Sequence, residues 1–233
     1  MLPGWPTVYT LGYTLAMSEL AIARSLILRS DDAVCATALA WGHGVCRACG
    51  VEVRTRGAET VDWSEPHVVL SNHQSLLDIP VILSGLGRWI GFLTKKELFH
   101  VPAFGGAIDR LGCVPIDRSD SRHARQALEG AAKRVREGSS IVVFPEGTRS
   151  PDGSLLPFKK GPFHLIQQSG VSAIPIALRG TRDILPRGSL RPRPGTVELR
   201  VGPPLRSDDD SADARERLRA RAQAEIGRLL SEP

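Results

Sequence analysis

The sequence predicts an α/β fold in which a single, largely parallel sheet is flanked by helices. From residue 51 onward, seven short apolar runs alternate with helical stretches, a pattern typical of parallel strands in one buried sheet. The chain has 233 residues, of which 42% are hydrophobic, so it is long enough for one large domain with a sizeable core. These observations exclude wholesale disorder and repeat architectures.

Each element follows from periodicity and from the turn residues between the runs. Strands are predicted at Val51–Arg56, His67–Ser71, Trp89–Thr94, Cys113–Ile116, Ser140–Phe144, Ala173–Leu178 and Thr196–Val201. Helices are predicted at 76–86, 120–137 and 158–169. The segment 179–195 is rich in Pro, Gly and Arg, so we expect a long basic loop there.

Two helices, 7–29 and 33–48, are predicted before the sheet, with acceptors from Ser30 onward capping the second. The first is a core helix or a segment lying partly in a bilayer interface. Its apolar run is interrupted by Glu19 and Arg24 and is shorter than the roughly 18 uninterrupted apolar residues of a typical membrane span.

The chain is predicted to end in a capped helix, Ser207 to Leu230, packed on the domain. Its buried stripe is expected to consist of Ala214, Leu218, Ala222, Ile226 and Leu229. We therefore divide the chain into an N-terminal helical element (1–50), an α/β domain (51–206) and this C-terminal helix (207–233).

Charge and cysteine content limit the function classes. The net charge is +5, and four of the five lysines form two adjacent pairs, 95–96 and 159–160. A basic surplus suits a phosphate-bearing substrate, an acidic carrier protein or an anionic membrane surface. Nucleic acid is disfavoured because aromatic residues make up only 5% and are not interleaved with the basic ones. Four clustered cysteines fit a reduced, cytosolic setting.

A polar cluster follows the second predicted strand, where open α/β sheets place ligands. His73 and Asp78 are five residues apart, about 140° around a regular helix, so they cannot meet there. With His73 in the turn and Asp78 in the first helical turn, the carboxylate can reach back to the imidazole. In the alternative interpretation, Ser75 and Asp78 merely cap the helix and His73 is an exposed loop residue.

A second cluster, Phe144–Ser150, also comes directly after an apolar strand. Gly147 frees the backbone, Thr148 supplies a hydroxyl, and Arg149 supplies a planar fork suited to a phosphate or carboxylate. The alternative is an ordinary turn in which Glu146 and Arg149 form a surface ion pair.

The chain resembles the glycerolphosphate and lysophospholipid acyltransferases over roughly residues 66–180. Four ordered motifs carry the resemblance: Asn72-His73 with Asp78, Gly112–Arg118, Phe144–Ser150 and Ile174–Leu178. Lys95–Leu98 and Phe158–Gly161 are also similar to family segments. The greatest similarity is to the 1-acylglycerol-3-phosphate acyltransferases, which move a fatty acyl group from a thioester to a hydroxyl of lysophosphatidic acid. Pro115 departs from the pattern, since an aromatic residue is common there.

This resemblance implies a role for each candidate residue. His73 would remove the proton of the attacking hydroxyl, and Asp78 would hold the imidazole in the required tautomer. Arg149 would bind the phosphate of the acceptor, with Lys95 and Arg118 as partners. The remaining residues of the third motif, Glu146, Gly147 and Thr148, would shape the acceptor site.

The resemblance also implies the partners. The donor would be acyl-CoA or an acyl carrier protein, with no metal and no cofactor. We expect a monotopic enzyme on the cytoplasmic face of the cell membrane, docked by residues 7–48, with loop 179–195 near anionic lipid. The acyl-chain preference, the choice of donor and the oligomeric state stay open.

Three rival functions are left open. A zinc module would use Cys35, His43, Cys46 and Cys49, although their spacing matches no common finger. A non-catalytic lipid-binding or acyl-carrier-binding protein would not require both His73 and Asp78. A neighbouring acyltransferase would act on another lysophospholipid or on a lyso-ornithine lipid. Arg149 favours a phosphate over a zwitterionic or neutral acceptor.

Overall fold

The protein is built around one seven-stranded sheet. A computed structural model describes residues 4–117 and 120–232. Its strands are β1 (Val51–Arg56), β2 (Val68–Ser71), β3 (Gly91–Lys95), β4 (Val114–Ile116), β5 (Ile141–Val143), β6 (Ala173–Arg179) and β7 (Gly195–Val201). All seven predicted strands are present, and each begins and ends within two residues of its expected bounds.

The strand order in the sheet is β1-β7-β6-β2-β5-β3-β4. The five strands from β6 to β4 run parallel to one another. The outer pair, β1 and β7, run parallel to each other and antiparallel to β6. The prediction of a largely parallel sheet is therefore confirmed, and the carboxyl ends of β2, β5 and β3 lie side by side at one edge.

Eight α-helices surround this sheet in the described part of the chain. They are α1 (Trp5–Leu28), α2 (Asp31–Ala48), α3 (Asp78–Leu86), α4 (Phe104–Arg110), α5 (Ser121–Arg136), α6 (Gly161–Ser169), α7 (Thr181–Ile184) and α8 (Ala212–Ser231). Two short 3-10 helices, Ala58–Thr60 and Lys96–His100, complete the elements.

Side-chain alternation along the strands creates a core on each face of the sheet. Val69 and Val142 pack on the face covered by α2, α3 and α4. Their neighbours Val68, Leu70 and Val143 pack on the opposite face with α5, α6 and α8. Because successive strand residues point to opposite sides, these strands are apolar at consecutive positions and are buried on both faces.

Two helices correct the sequence prediction. The segment 179–195 is not a continuous loop, since α7 forms a single turn of helix within it. The other, α4, contains Gly105 and Gly106, which lower helix propensity and conceal it in the sequence. A Cβ at Gly105 would lie 2.0 Å from the Phe99 carbonyl oxygen, so glycine is needed there for close packing.

The C-terminal helix confirms its predicted buried stripe. Ala214, Leu218, Ala222, Ile226 and Leu229 are its buried residues. The helix begins later than expected, at Ala212, because the Ser211 hydroxyl accepts a hydrogen bond from the Ala214 amide at 3.1 Å.

The N-terminal helix α1 has an unusual distribution of side chains. Ser18 and Ala21 are its buried residues, whereas Trp5 is 78% and Ile27 is 78% exposed. Its contacts with α2 include a hydrogen bond of 2.9 Å from the Trp41 indole to the Thr14 hydroxyl. In the described part of the chain, α1 is the helix whose length and composition would allow it to cross a membrane.

Candidate active site

The polar cluster after β2 is anchored to the sheet by Asn72. Its side-chain nitrogen donates to the Leu178 carbonyl at 2.9 Å, and its side-chain oxygen accepts from the Leu178 amide at 2.8 Å. Leu178 belongs to the neighbouring strand β6, so the amide of Asn72 extends the ladder beyond the end of β2. The loop that follows therefore leaves the sheet from a fixed point.

The structure brings His73 and Asp78 together as the resemblance implies. The Nδ1 atom of His73 lies 2.6 Å from Oδ2 of Asp78, the first residue of α3. The same oxygen accepts the backbone amides of Gln74 at 2.7 Å and Ser75 at 2.9 Å. These three contacts to one carboxylate oxygen hold the turn in place and fix the orientation of the imidazole. The alternative, in which Ser75 and Asp78 merely cap the helix and His73 is an exposed loop residue, would lack this contact.

The surroundings of His73 hold its ring in one orientation. Asp78 is fully buried, whereas the His73 side chain keeps 14% of its surface exposed. The Phe144 ring stacks on the imidazole, with centroids 4.0 Å apart and planes inclined by 16°. With the Nδ1 proton donated to Asp78, Nε2 carries the lone pair, which is the arrangement of a general base.

Glu146 joins the third motif to the loop that carries His73. Its carboxylate accepts the His73 amide at 2.7 Å through Oε1 and the Leu156 amide at 3.0 Å through Oε2. The residue is 3% exposed, and burial raises the pKa of its carboxyl from 4.5 to about 6. Both oxygens are occupied by backbone donors, which favours a positioning role over direct contact with a substrate.

A second backbone contact ties the same two loops together. The Ser150 amide donates to the His73 carbonyl at 2.8 Å, so His73 is held through both its N–H and its C=O. Between Glu146 and Ser150, Gly147 adopts a φ of +73°, which favours glycine. A Cβ at Gly147 would lie 2.9 Å from the Lys159 ammonium, so this side chain crosses directly over the turn.

The predicted phosphate ligands are less constrained. Arg149 is half-buried and Thr148 is exposed, both in the loop beside His73. Lys95 ends β3, with 65% of its side chain exposed and its ammonium 3.5 Å from Glu97. Arg118 lies outside the described residues.

Sheet topology explains why these groups share one region. His73 follows β2, the Glu146 loop follows β5, and Lys95 ends β3, and these three strands are adjacent and parallel. Ligands of open α/β sheets bind at the carboxyl ends of such strands. Phe144 and Asn72 belong to the motifs that the sequence shows, but their pattern alone predicts no role for either.

The zinc alternative finds no support in the geometry. Within residues 4–117 and 120–232, no group of three His, Cys, Asp or Glu side chains is placed to hold a metal ion. Cys46 and Cys49 are buried free thiols, and burial raises the pKa of Cys46 to about 12. Such thiols pack as small apolar side chains. The expected absence of a cofactor stays a prediction.

Comparison with known proteins identifies the family. The Acyltransferase family profile matches residues 52–179, more than half of the chain. The protein belongs to this family of acyltransferases. Its fold matches the crystal structure of the 1-acyl-sn-glycerophosphate acyltransferase PlsC from Thermotoga maritima, with a TM-score of 0.83, 27% identity, and coverage of 98% of this chain and 96% of that one.

Several similar proteins are named as 1-acyl-sn-glycerol-3-phosphate acyltransferases. A chloroplastic 1-acyl-sn-glycerol-3-phosphate acyltransferase, BAT2 from Brassica napus, is 44% identical over 58% of this chain and 39% of its own length. The Pseudomonas aeruginosa 1-acyl-sn-glycerol-3-phosphate acyltransferase is 31% identical over 78% of this chain and 70% of its own length. The human alpha form is 36% identical over 70% of this chain and 58% of its own length. The chain thus spans about two fifths of the chloroplastic relative.

Proposed function

We propose that this protein transfers a fatty acyl group from a thioester donor, acyl-CoA or acyl carrier protein, to the free hydroxyl of 1-acylglycerol-3-phosphate, giving phosphatidic acid. The observation that carries the proposal is the contact of 2.6 Å between His73 Nδ1 and Asp78 Oδ2. A pair of this kind makes a weakly acidic alcohol nucleophilic. The names of the similar proteins support the choice of acceptor.

In the proposed reaction, Nε2 of His73 takes the hydroxyl proton while the oxygen attacks the thioester carbonyl. A carbon–oxygen bond forms and the carbon–sulfur bond breaks. The imidazolium then returns its proton to the departing thiolate, so the histidine ends the cycle unchanged. Asp78 stabilises the imidazolium, as the acid does in a hydrolase triad. A covalent acyl-enzyme is not needed.

The acceptor phosphate is proposed to lie near Arg149, with Lys95 and Arg118 as partners. The guanidinium of Arg149 has no ion-pair partner within the described residues, which leaves its planar fork available for a phosphate. The ammonium of Lys95 lies 3.5 Å from the Glu97 carboxylate, a weak ion pair that leaves the lysine side chain free to rotate towards a ligand.

We infer that α1 places the protein on the cytoplasmic face of a membrane. Leu11, Leu26 and Ile27 are 62%, 63% and 78% exposed, while a serine and an alanine of this helix are buried. A helix whose large apolar side chains point outward suits the interface of a bilayer, because these side chains leave water on binding.

The reaction is tested by incubating the full-length protein in vesicles with palmitoyl or oleoyl thioesters and lysophosphatidic acid, and by following the products with lipid mass spectrometry. We expect phosphatidic acid from the parent protein and none above background from His73→Ala. Turnover of a different lysolipid, with none of lysophosphatidic acid, would retain the mechanism and refute the acceptor. Equal activity of His73→Ala would refute the mechanism.

Membrane docking is tested by co-sedimentation with anionic vesicles. A double substitution, Leu26→Glu with Ile27→Glu, should release the protein into the supernatant. Ala220→Glu with Ala224→Glu is the matched control, because both alanines are exposed on α8 and the pair adds the same charge on the opposite face of the sheet. If the double variant sediments as the parent does, α1 does not dock the protein.

A further inference from the structure

A large cavity lies on the sheet face that is remote from α2 and α3. It has a volume of about 470 Å³, is partly open to solvent, and is bordered by β3, β4 and β5 together with α5 and α6. Its walls are mostly apolar, with Leu93, Ile116, Leu128 and Val143 among the lining residues. Its size falls in the range of about 300–1,000 Å³ that is typical of small-molecule sites.

The cavity reaches the catalytic pair through Phe144. This ring stacks on the His73 imidazole at 4.0 Å and also lines the cavity, as do its neighbours Pro145 and Gly147. One end of the cavity is therefore separated from the proposed base by the thickness of a single aromatic ring. A flexible ligand that extends from the cavity past the edge of Phe144 would reach His73.

Cationic side chains line the same cavity. Arg125 is paired with Glu129 at 3.0 Å, whereas Lys159 has no ion-pair partner in the described part of the chain. The backbone of Lys159 is fixed by a hydrogen bond of 2.9 Å from its amide to the Pro145 carbonyl. A Cβ at Gly147 would meet the Lys159 ammonium at 2.9 Å, so the glycine provides the space that this side chain occupies.

We propose that this cavity binds the phosphopantetheine arm of the acyl donor, with Lys159 contacting its phosphate. The inference rests on the proposed function and extends it to the donor. Coenzyme A and acyl carrier proteins share this arm, which joins a phosphate to a chain with two methyl groups, two amides and a terminal sulfur. The phosphate is complementary to the unpaired ammonium, and the methyl groups are complementary to the apolar wall.

The position of the cavity also suits a water-soluble donor. The helices α5 and α6 that border it pack on one face of the sheet, whereas α2, α3 and α4 cover the other. The exposed apolar side chains of α1 lie on the same side of the sheet as α2, α3 and α4, because α1 packs against α2 and α4. Donor and lipid acceptor would thus approach His73 from opposite faces of the sheet.

Direct binding provides the first test, because it needs no acceptor and no turnover. Isothermal titration of the full-length protein would use coenzyme A and, separately, pantetheine, which lacks the phosphate. We expect Lys159→Ala to weaken coenzyme A binding about tenfold and to leave pantetheine binding unchanged. The matched control is Lys160→Ala, since this neighbouring lysine does not line the cavity.

Filling the cavity provides the second test. Ala124 is a half-buried residue of α5 that lines the cavity, so Ala124→Phe should occupy space needed by the arm. We expect higher KM values for acyl-CoA and for acyl carrier protein, with the KM for lysophosphatidic acid unchanged. Thermal unfolding checks that this variant folds. Lys159→Ala, at an exposed position, should also raise the donor KM values, and it leaves the core unchanged.

Several results would overturn the proposal. A rise in the acceptor KM with no change in the donor KM would place the lysolipid in the cavity. Coenzyme A binding that is unaffected by both variants would place the arm elsewhere. If the parent protein binds coenzyme A as predicted but does not acylate lysophosphatidic acid, the proposed function fails while the donor site stands.

Discussion

The proposed base and the proposed phosphate ligands of this site are held to very different degrees. His73 is fixed by hydrogen bonds at its amide, its carbonyl and its Nδ1 atom, with an aromatic ring stacked on it. Lys95 is two-thirds exposed and has one weak partner, and Arg149 has a side chain with no ion pair within the described residues. The proposed base is thus preorganised, whereas the proposed phosphate ligands are free to adjust to their ligand.

This difference has an energetic meaning. Preorganised groups need little rearrangement in the transition state, so their loss should lower kcat. Flexible surface cations contribute to binding of the ground state and the transition state alike, so their loss should raise KM. Each of the following substitutions examines this contrast.

The largest effect is expected for His73→Ala. Removing the proton acceptor should lower kcat by about 10²- to 10⁴-fold, the usual contribution of a positioned base. Thermal unfolding of the variant checks that the fold persists, which we expect because the ring is partly exposed. A fall of less than tenfold would mean that another group accepts the proton.

The next effect concerns Glu146 and its dependence on pH. Its carboxyl has a pKa of about 6 in the folded protein and 4.5 as its ordinary value, so the folded state holds this proton more tightly than the unfolded chain does. Protonation therefore stabilises the fold, and the gain is lost as the pH rises from about 4.5 to 6. The parent protein should lose about 2 kcal/mol of unfolding free energy relative to Glu146→Gln across this window.

Denaturant unfolding of both proteins at pH 4 and pH 7 measures this difference. Because Gln cannot titrate, subtracting its curve removes the contribution of all other groups that titrate equally in both proteins. A difference between the two proteins that is the same at both pH values would show that burial does not perturb Glu146.

A smaller effect is expected for Arg149→Ala. Loss of a charge-assisted contact with the acceptor phosphate should raise the KM for lysophosphatidic acid about tenfold and leave the KM for the donor unchanged. Arg217→Ala is the control, because this half-exposed arginine of α8 lies outside the four motifs. An unchanged acceptor KM in Arg149→Ala would remove this residue from the binding site.

The smallest effect is expected for Lys95→Ala. An ammonium that is 65% exposed is well solvated, so its loss should raise the acceptor KM only about two- to threefold. Raising the salt concentration should reduce the difference between parent and variant, because exposed charges are screened. A fall in kcat of tenfold or more would instead assign Lys95 to the transition state.

The sequence was informative where local pattern decides the structure. Alternating apolar runs predicted all seven strands, and the spacing of His73 and Asp78 predicted that the two side chains meet only if His73 lies in a turn before α3. It could not show that Phe144 stacks on His73 or that Glu146 accepts the His73 amide, since these contacts join segments about 70 residues apart. The helix α4 was missed for a related reason. Its glycines serve tertiary packing and contradict local propensity.

Asp78→Asn, compared with Arg149→Ala in the same steady-state assay, tests the contrast most directly. The account predicts that Asp78→Asn lowers kcat by about 10²-fold or more with an unchanged KM for lysophosphatidic acid, because the imidazole loses its orienting carboxylate. Arg149→Ala should raise this KM at nearly constant kcat. If both variants change kcat and KM in the same proportion, the rigid base and the adjustable cations do not have separate roles, and the account is contradicted.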